Sequence, residues 1–93
     1  MAFDWDQGNL THIAAHGIKP EEAEEAILDD PIDVLEQEHE DEVRLMQIGI
    51  TKRMRVLIIV TTWRDDLLRV VTAYDAPPNM RDYFFAERRD HHG

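Results

Sequence analysis

The apolar positions change period once along the chain, from about four to two, at Ile32. Before that point, Phe3-Asp4-Trp5 alternates apolar and polar, as a short strand does. Leu10, Ile13 and Ala14 then fall at helical spacing, followed by Gly17, the residue helices prefer just past their C-terminus. A second helix opens at Pro20, because a missing N–H costs nothing at a first helical position. Glu21 and Glu22 suit the dipole of its first turn, Ala23, Ala26 and Ile27 form a narrow apolar stripe, and Asp29-Asp30-Pro31 stops it.

From Ile32 the pattern is that of strands. Val34, Glu36 and Glu38 alternate with Leu35, Gln37 and His39, which predicts an exposed strand ending in a charged turn over His39 to Glu42. Val43 to Ile50 is the next, with Arg44, Met46, Ile48 and Ile50 on one face. Thr51-Lys52-Arg53 turns the chain into Met54 to Thr62, β-branched and nearly uninterrupted, hence the most buried strand. Arg64-Asp65-Asp66 connects it to a strand over Leu67 to Ala73. The connections are too short for parallel crossovers, so the strands form an antiparallel meander. Pro77-Pro78 ends the last strand and Asn79 is placed to cap a third helix, in which Met80, Tyr83 and Phe84 make an apolar stripe. The fold class is therefore α+β: a short N-terminal strand, two helices, a meander of about four strands and a C-terminal amphipathic helix. Ninety-three residues make one domain, 1–93, whose tail over 88–93 is expected to fray.

Composition removes several kinds of chemistry. With no cysteine and no serine, the chain lacks disulfides, thiolate metal sites and the commonest acyl-transfer nucleophiles. Its glycines are scattered, so no phosphate-cradling loop forms. The longest strongly apolar stretch, Val56 to Val60, is far shorter than the ~20 residues of a membrane span. Asp4 and Asp6 stand where a signal peptide would carry basic and apolar residues, which makes the cytoplasm the default location.

Charge sharpens the picture because it is unevenly placed. Residues 1–42 hold one basic side chain against fourteen acidic ones, a balance of −13, whereas residues 43–93 hold nine against six, +3. The first half repels polyanions and attracts basic partners, while the second can still present a local basic face.

Within these limits three groups of residues carry chemistry. His12 and His16 are four apart on one predicted helix face, half of a zinc site with no third ligand in view; His91-His92 and the carboxylates could complete it only through folding. The alternative is structural, with His16 satisfying carbonyls at the helix end. No metal or cofactor is expected. Arg44 and Arg69 lie on strands, Arg69 between apolar neighbours, and an arginine so placed either pairs with a carboxylate or faces a groove where its fork can hold a phosphate.

The order of the motifs is specific. F-D-W-D (3–6) followed by H-I-A-A-H-G-I-K-P-E-E-A-E-E-A-I (12–27), V-R-L-M-Q-I-G (43–49), R-V-L-I-I-V (55–60), L-R-V-V-T-A (68–73) and R-D-Y (81–83) resembles the BrnT family of type II toxin–antitoxin ribonucleases. The resemblance implies a RelE-like fold, metal-independent RNA cleavage, and neutralisation by a cognate antitoxin that binds DNA. It also implies phosphate or transition-state contacts at Arg44, Arg69 and Arg81, a site role for His16, and a packing role for Tyr83. Tyr74 stands where the family usually has arginine, so that it would donate a proton or stack on a base. Met80 replaces a usual glutamate, Asp82 a usual basic residue, and Pro77-Pro78-Asn79 a threonine-and-basic loop, each change taking charge or polarity from the expected RNA surface. The rival reading is a non-catalytic relative that acts as an interaction module, its acidic half and last helix suiting a basic antitoxin-like partner or a homodimer.

Overall fold

The computed structural model describes residues 1–92, with side chains through Asp90. In chain order the elements are β1 (Phe3–Asp4), α1 (Gln7–Ala14), α2 (Pro20–Leu28), β2 (Ile32–His39), β3 (Glu42–Ile50), β4 (Val56–Arg64), β5 (Leu67–Asp75) and α3 (Pro78–His92). The strands form one sheet in the order β1-β5-β4-β3-β2. The meander β2 to β5 is antiparallel throughout, as the short connections require. The sheet as a whole is mixed, because β1 pairs parallel to β5 through Phe3–Leu68 and Asp4–Arg69.

The local signals act as their chemistry dictates. Asp6 caps α1 by accepting from the Asn9 N–H, while the Asn9 side chain accepts from the Asp6 N–H. At the other end the Ile18 N–H reaches Ile13 O and the Gly17 N–H reaches Ala14 O, the pairing of a Schellman close. Gly17 takes φ +74° there, and Ile18 and Ile13 are both buried. The carbonyls expected to bond the His16 side chain are thus satisfied by backbone.

Glu40 and Asp41 join β2 to β3 with φ of +49° and +66°, a two-residue turn whose twist suits a hairpin. The turn after β3 is longer than the sequence indicates. Thr51 N–H bonds Arg55 O and Met54 sits at φ +68°, so β4 begins at Val56 instead of Met54 and continues to Arg64. At α3, Pro78 takes the first helical position and Pro77 O accepts from the Met80 and Arg81 N–H groups. Asn79 is therefore inside the helix and does not cap it. The helix continues through the segment expected to fray, and Arg88 is held by Asp29; Gly93 lies outside the described residues.

Helices cover both faces of the sheet, but only at one end. On one face Ile13, Ala23, Ala26 and Ile27 pack against Leu57, Ile59, Val70 and Ala73, with Phe3 and Trp5 at the margin. On the other, Phe84 of α3 packs on Ile48, Ile50, Val56 and Ile58, joined by Met80, Phe85 and Tyr74. Tyr83, expected in the apolar stripe, is 45% exposed, and Phe84 and Met80 make the contact without it.

The seating of α2 depends on Gly49. A Cβ there would lie 2.5 Å from the Ala26 carbonyl oxygen, well inside contact distance and against backbone that cannot swing away. Gly49→Ala should therefore destabilise the fold by roughly 1–3 kcal/mol, lowering the melting temperature by roughly 4–8 °C per kcal/mol for a domain of this size. Thermal denaturation followed by circular dichroism measures this, and an unchanged midpoint would show that α2 is not seated on β3 as described.

Candidate functional site

The strand register places the two strand arginines on one face. Arg69 of β5 pairs with Thr62 of β4, and Arg44 lies one residue beyond the Leu45–Thr61 pair on β3. The two thus sit in one cross-strand row on the α3 side, separated by a single strand and so by roughly 10 Å. Helix α3 covers the opposite end of this face, leaving the row open.

Neither guanidinium is free. Arg69 is bidentate to Asp6, at 2.9 and 3.1 Å, with Asp4 Oδ2 at 3.5 Å, and its side chain is only 13% exposed. The Arg69 guanidinium, helped by the Asn9 N–H, holds the Asp6 carboxyl below the ordinary value, and Asp6 in turn raises Arg69. Arg44 Nε bonds Glu42 Oε2 at 3.0 Å, and Arg64 approaches the same carboxylate at 3.6 Å. Arg44 lowers the pKa of Glu42, with Arg64 adding to the effect. The ion-pair alternative for both arginines is realised in this structure.

His16 and Tyr74 meet at the edge of β5. Their ring centroids are 5.9 Å apart, and the His12 ring lies 5.7 Å from that of His16. Tyr74 is half-buried, with its body among the residues under α3. Helix α1 reaches this edge because Asn9, buried, donates from one amide nitrogen to Asp4 O and Val70 O and ties the helix to β1 and β5. Arg81 is exposed on α3, and no side-chain hydrogen bond or ion pair joins it to His16, Arg44, Arg69 or Tyr74. Among the described residues no three His, Cys, Asp or Glu side chains gather as a metal site. The side chains of His91 and His92 lie outside the described residues.

Three features lay beyond the sequence reading. Asp4 and Asp6 reach Arg69 only because β1 runs parallel beside β5, a long-range pairing with no local signature. Asn9 does carry a local signal: it stands four residues before Ile13, on the buried side of an amphipathic helix. Arg55 is the third. It bonds Gly17 O at 3.0 Å, both Glu22 carboxylate oxygens, and Asp75 at 2.7 and 3.0 Å, joining α1, α2, β4 and β5.

Residues 5–79 match the family described as "Ribonuclease toxin, BrnT, of type II toxin-antitoxin system". The match spans most of the chain, which belongs to this family. A comparison with curated proteins gives no match.

The Arg55 network sets an acid limit on stability. Arg55 lowers the pKa of Asp75; at Glu22 partial burial acts in the opposite direction, but the Lys19 N–H and Arg55 outweigh it. Carboxyls depressed in the fold contribute stability that is present above their ordinary values, 3.8 and 4.5, and that is lost as pH falls through the lower native ones. Arg55→Met should cost about 1 kcal/mol at pH 7, the size of a partly solvent-screened network. It should also flatten the fall in stability between neutral and acidic pH, read by urea denaturation; an equally steep fall in the variant would place the acid limit elsewhere.

Proposed function

We propose that the chain is a metal-independent endoribonuclease toxin, neutralised by a cognate antitoxin, with His16 and Tyr74 as its proton-transferring groups. The family membership supplies the class of reaction, and the contact of His16 with Tyr74 is the observation that carries the assignment of residues. Cleavage of RNA without a metal needs a base to take the proton of the 2′-hydroxyl as it attacks the adjacent phosphorus. It needs an acid to protonate the departing 5′-oxygen as the P–O bond breaks, and cations to hold charge on the non-bridging oxygens. Imidazole is the side chain whose ordinary titration lies nearest neutrality. A neighbouring phenol can exchange a proton with it or stack on a base. In this reading Arg69 and Arg44 contact phosphates by exchanging Asp6 and Glu42 for phosphate oxygens, and Arg81 supplies a further cation from α3.

A second reading is favoured by one observation. Both strand arginines already hold carboxylates, and a chain of net charge −10 repels RNA at long range. On that reading the protein keeps the family fold and acts only by binding its partner.

The deciding experiment is incubation of the purified chain with labelled cellular RNA in EDTA, beside folded His16→Ala, Tyr74→Phe and Arg69→Ala variants. The expected result is cleavage by the parent and a loss of roughly 10²-fold or more in His16→Ala. Asp6→Asn, which keeps an acceptor for the α1 cap while releasing Arg69, should tighten RNA binding and steepen its salt dependence. Intact RNA at high protein concentration would overturn the enzymatic reading in favour of the second.

A further inference from the structure

On the face opposite the arginine row, at the same uncovered end of the sheet, lies a groove of about 940 Å³. Its floor is Val43 and Leu45 of β3, Trp63 of β4 and Leu68 of β5, which alternation places on the α1–α2 side. Ile27 and Pro31, at the end of α2, close one margin, and Met1 lies at another. Neither α1 nor α2 extends over this floor, so Trp63 is 59% and Val43 50% exposed. Large apolar side chains left open in a concavity are the usual anchors of a protein interface.

The charged side chains of the rim are of one sign. Glu36 of β2, Glu40 and Asp41 of the hairpin turn, and Glu42 border the groove, and among the described residues no Lys, Arg or His lines it. Glu42 is already paired with Arg44, but among the described residues Glu36, Glu40 and Asp41 have no ion-pair partner. The surrounding segment, residues 1–42, carries a balance of −13. An apolar floor inside an acidic rim complements an amphipathic segment with an apolar stripe flanked by Lys or Arg.

We propose that this groove is the docking site for a cationic amphipathic helix of a partner protein, with Trp63 as its central anchor. A second copy of the chain is a poorer occupant. Among its other exposed apolar residues, Leu28, Val34 and Leu35 stand in the acidic half, and Tyr83 is on α3, which mixes Arg81, Arg88 and Arg89 with Asp82, Glu87 and Asp90. The proposal rests on the toxin–antitoxin reading only for the source of the segment, since a DNA-binding antitoxin must carry basic charge; the chemistry of the segment is read from the groove itself. Because the groove and the arginine row lie on opposite faces, its occupant need not touch RNA-contacting residues.

The test uses the full chain carrying Trp5→Phe, which leaves Trp63 as the sole indole and removes the Trp5 hydrogen bond to Glu24. The probes are two designed amphipathic peptides with the same leucine stripe, one with lysine flanks and one with glutamate flanks. The lysine peptide should bind with a blue shift of Trp63 emission, and salt should weaken it. Glu36→Lys with Asp41→Asn should reduce its affinity by roughly tenfold. Asparagine is chosen at position 41 because that residue sits at positive φ, and circular dichroism checks the fold of each variant. Equal binding of both peptides, no binding of the lysine peptide, or indifference to the double substitution would overturn the proposal. Concentration-dependent dimerisation of the chain alone that buries Trp63 would also overturn it, assigning the face to a second copy. None of these readouts involves RNA, so a chain that binds the peptide yet leaves RNA intact retains the groove and loses only the enzymatic assignment.

Discussion

Strand β4 governs this structure, because from Val56 to Ile59 it is buried on both faces and must be covered on both. A strand of that kind is stable only as the middle layer of a three-layer arrangement. The chain meets the requirement with α1 and α2 on one side and α3 on the other. The two short helices, of eight and nine residues, and the longer third all gather at the end of the sheet where β4 begins. The opposite end is left open on both faces. Close approach at Ala26 and Gly49 is one result of this economy, since a short helix must sit deep to cover much apolar surface. Both candidate surfaces, the arginine row and the acidic-rimmed groove, lie at the open end.

Much of this was legible in the residues because the signals were local. The helix stop at Gly17, the start at Pro20, the exposed alternation of β2 and the doubly apolar run of β4 each reflect chemistry within a few positions. Three local signals are overridden by their neighbours. Met54 reads as a strand residue by its apolarity, yet it takes a left-handed turn conformation. Asn79 reads as a cap because it follows two prolines, although Pro78 is itself the better first residue of the helix. Spacing puts Tyr83 in the stripe beside Phe84, yet Tyr83 is exposed, and Phe85 instead joins Phe84 and Met80 against the sheet.

The candidate site was legible only in part. Parity along a strand joins Glu42 to Arg44, so that pair lies within reach of a sequence reading. The pairing of Arg69 with Asp6 spans sixty-three positions and depends on a two-residue parallel strand that no periodicity announces. The meeting of His16 with Tyr74 likewise follows from Asn9 fastening α1 to the sheet edge, a tertiary event. The groove was invisible for another reason. It is defined by where the helices stop, and a pattern of apolar residues says which positions seek cover without saying which ones receive it.

The pairing of the strand arginines bears on how a phosphate could reach them. Arg69 is held by two carboxylates from the segment that forms β1 and caps α1, so Asp6 serves the guanidinium and the helix at once. An RNA phosphate would have to compete with a partner already fixed in bidentate geometry, and it would leave Asp6 near its own negative charge. Arg44 is in a weaker hold, sharing Glu42 with Arg64 through single contacts. Exchange is therefore easier at Arg44 than at Arg69. The same carboxylates neutralise an arginine row that would otherwise stand open with two like charges in it, and this stabilising role is independent of any reaction. The acidic excess of the first forty-two residues thus acts on both faces. On one it occupies the cations that RNA would need, and on the other it leaves Glu36, Glu40 and Asp41 of the rim without an ion-pair partner among the described residues.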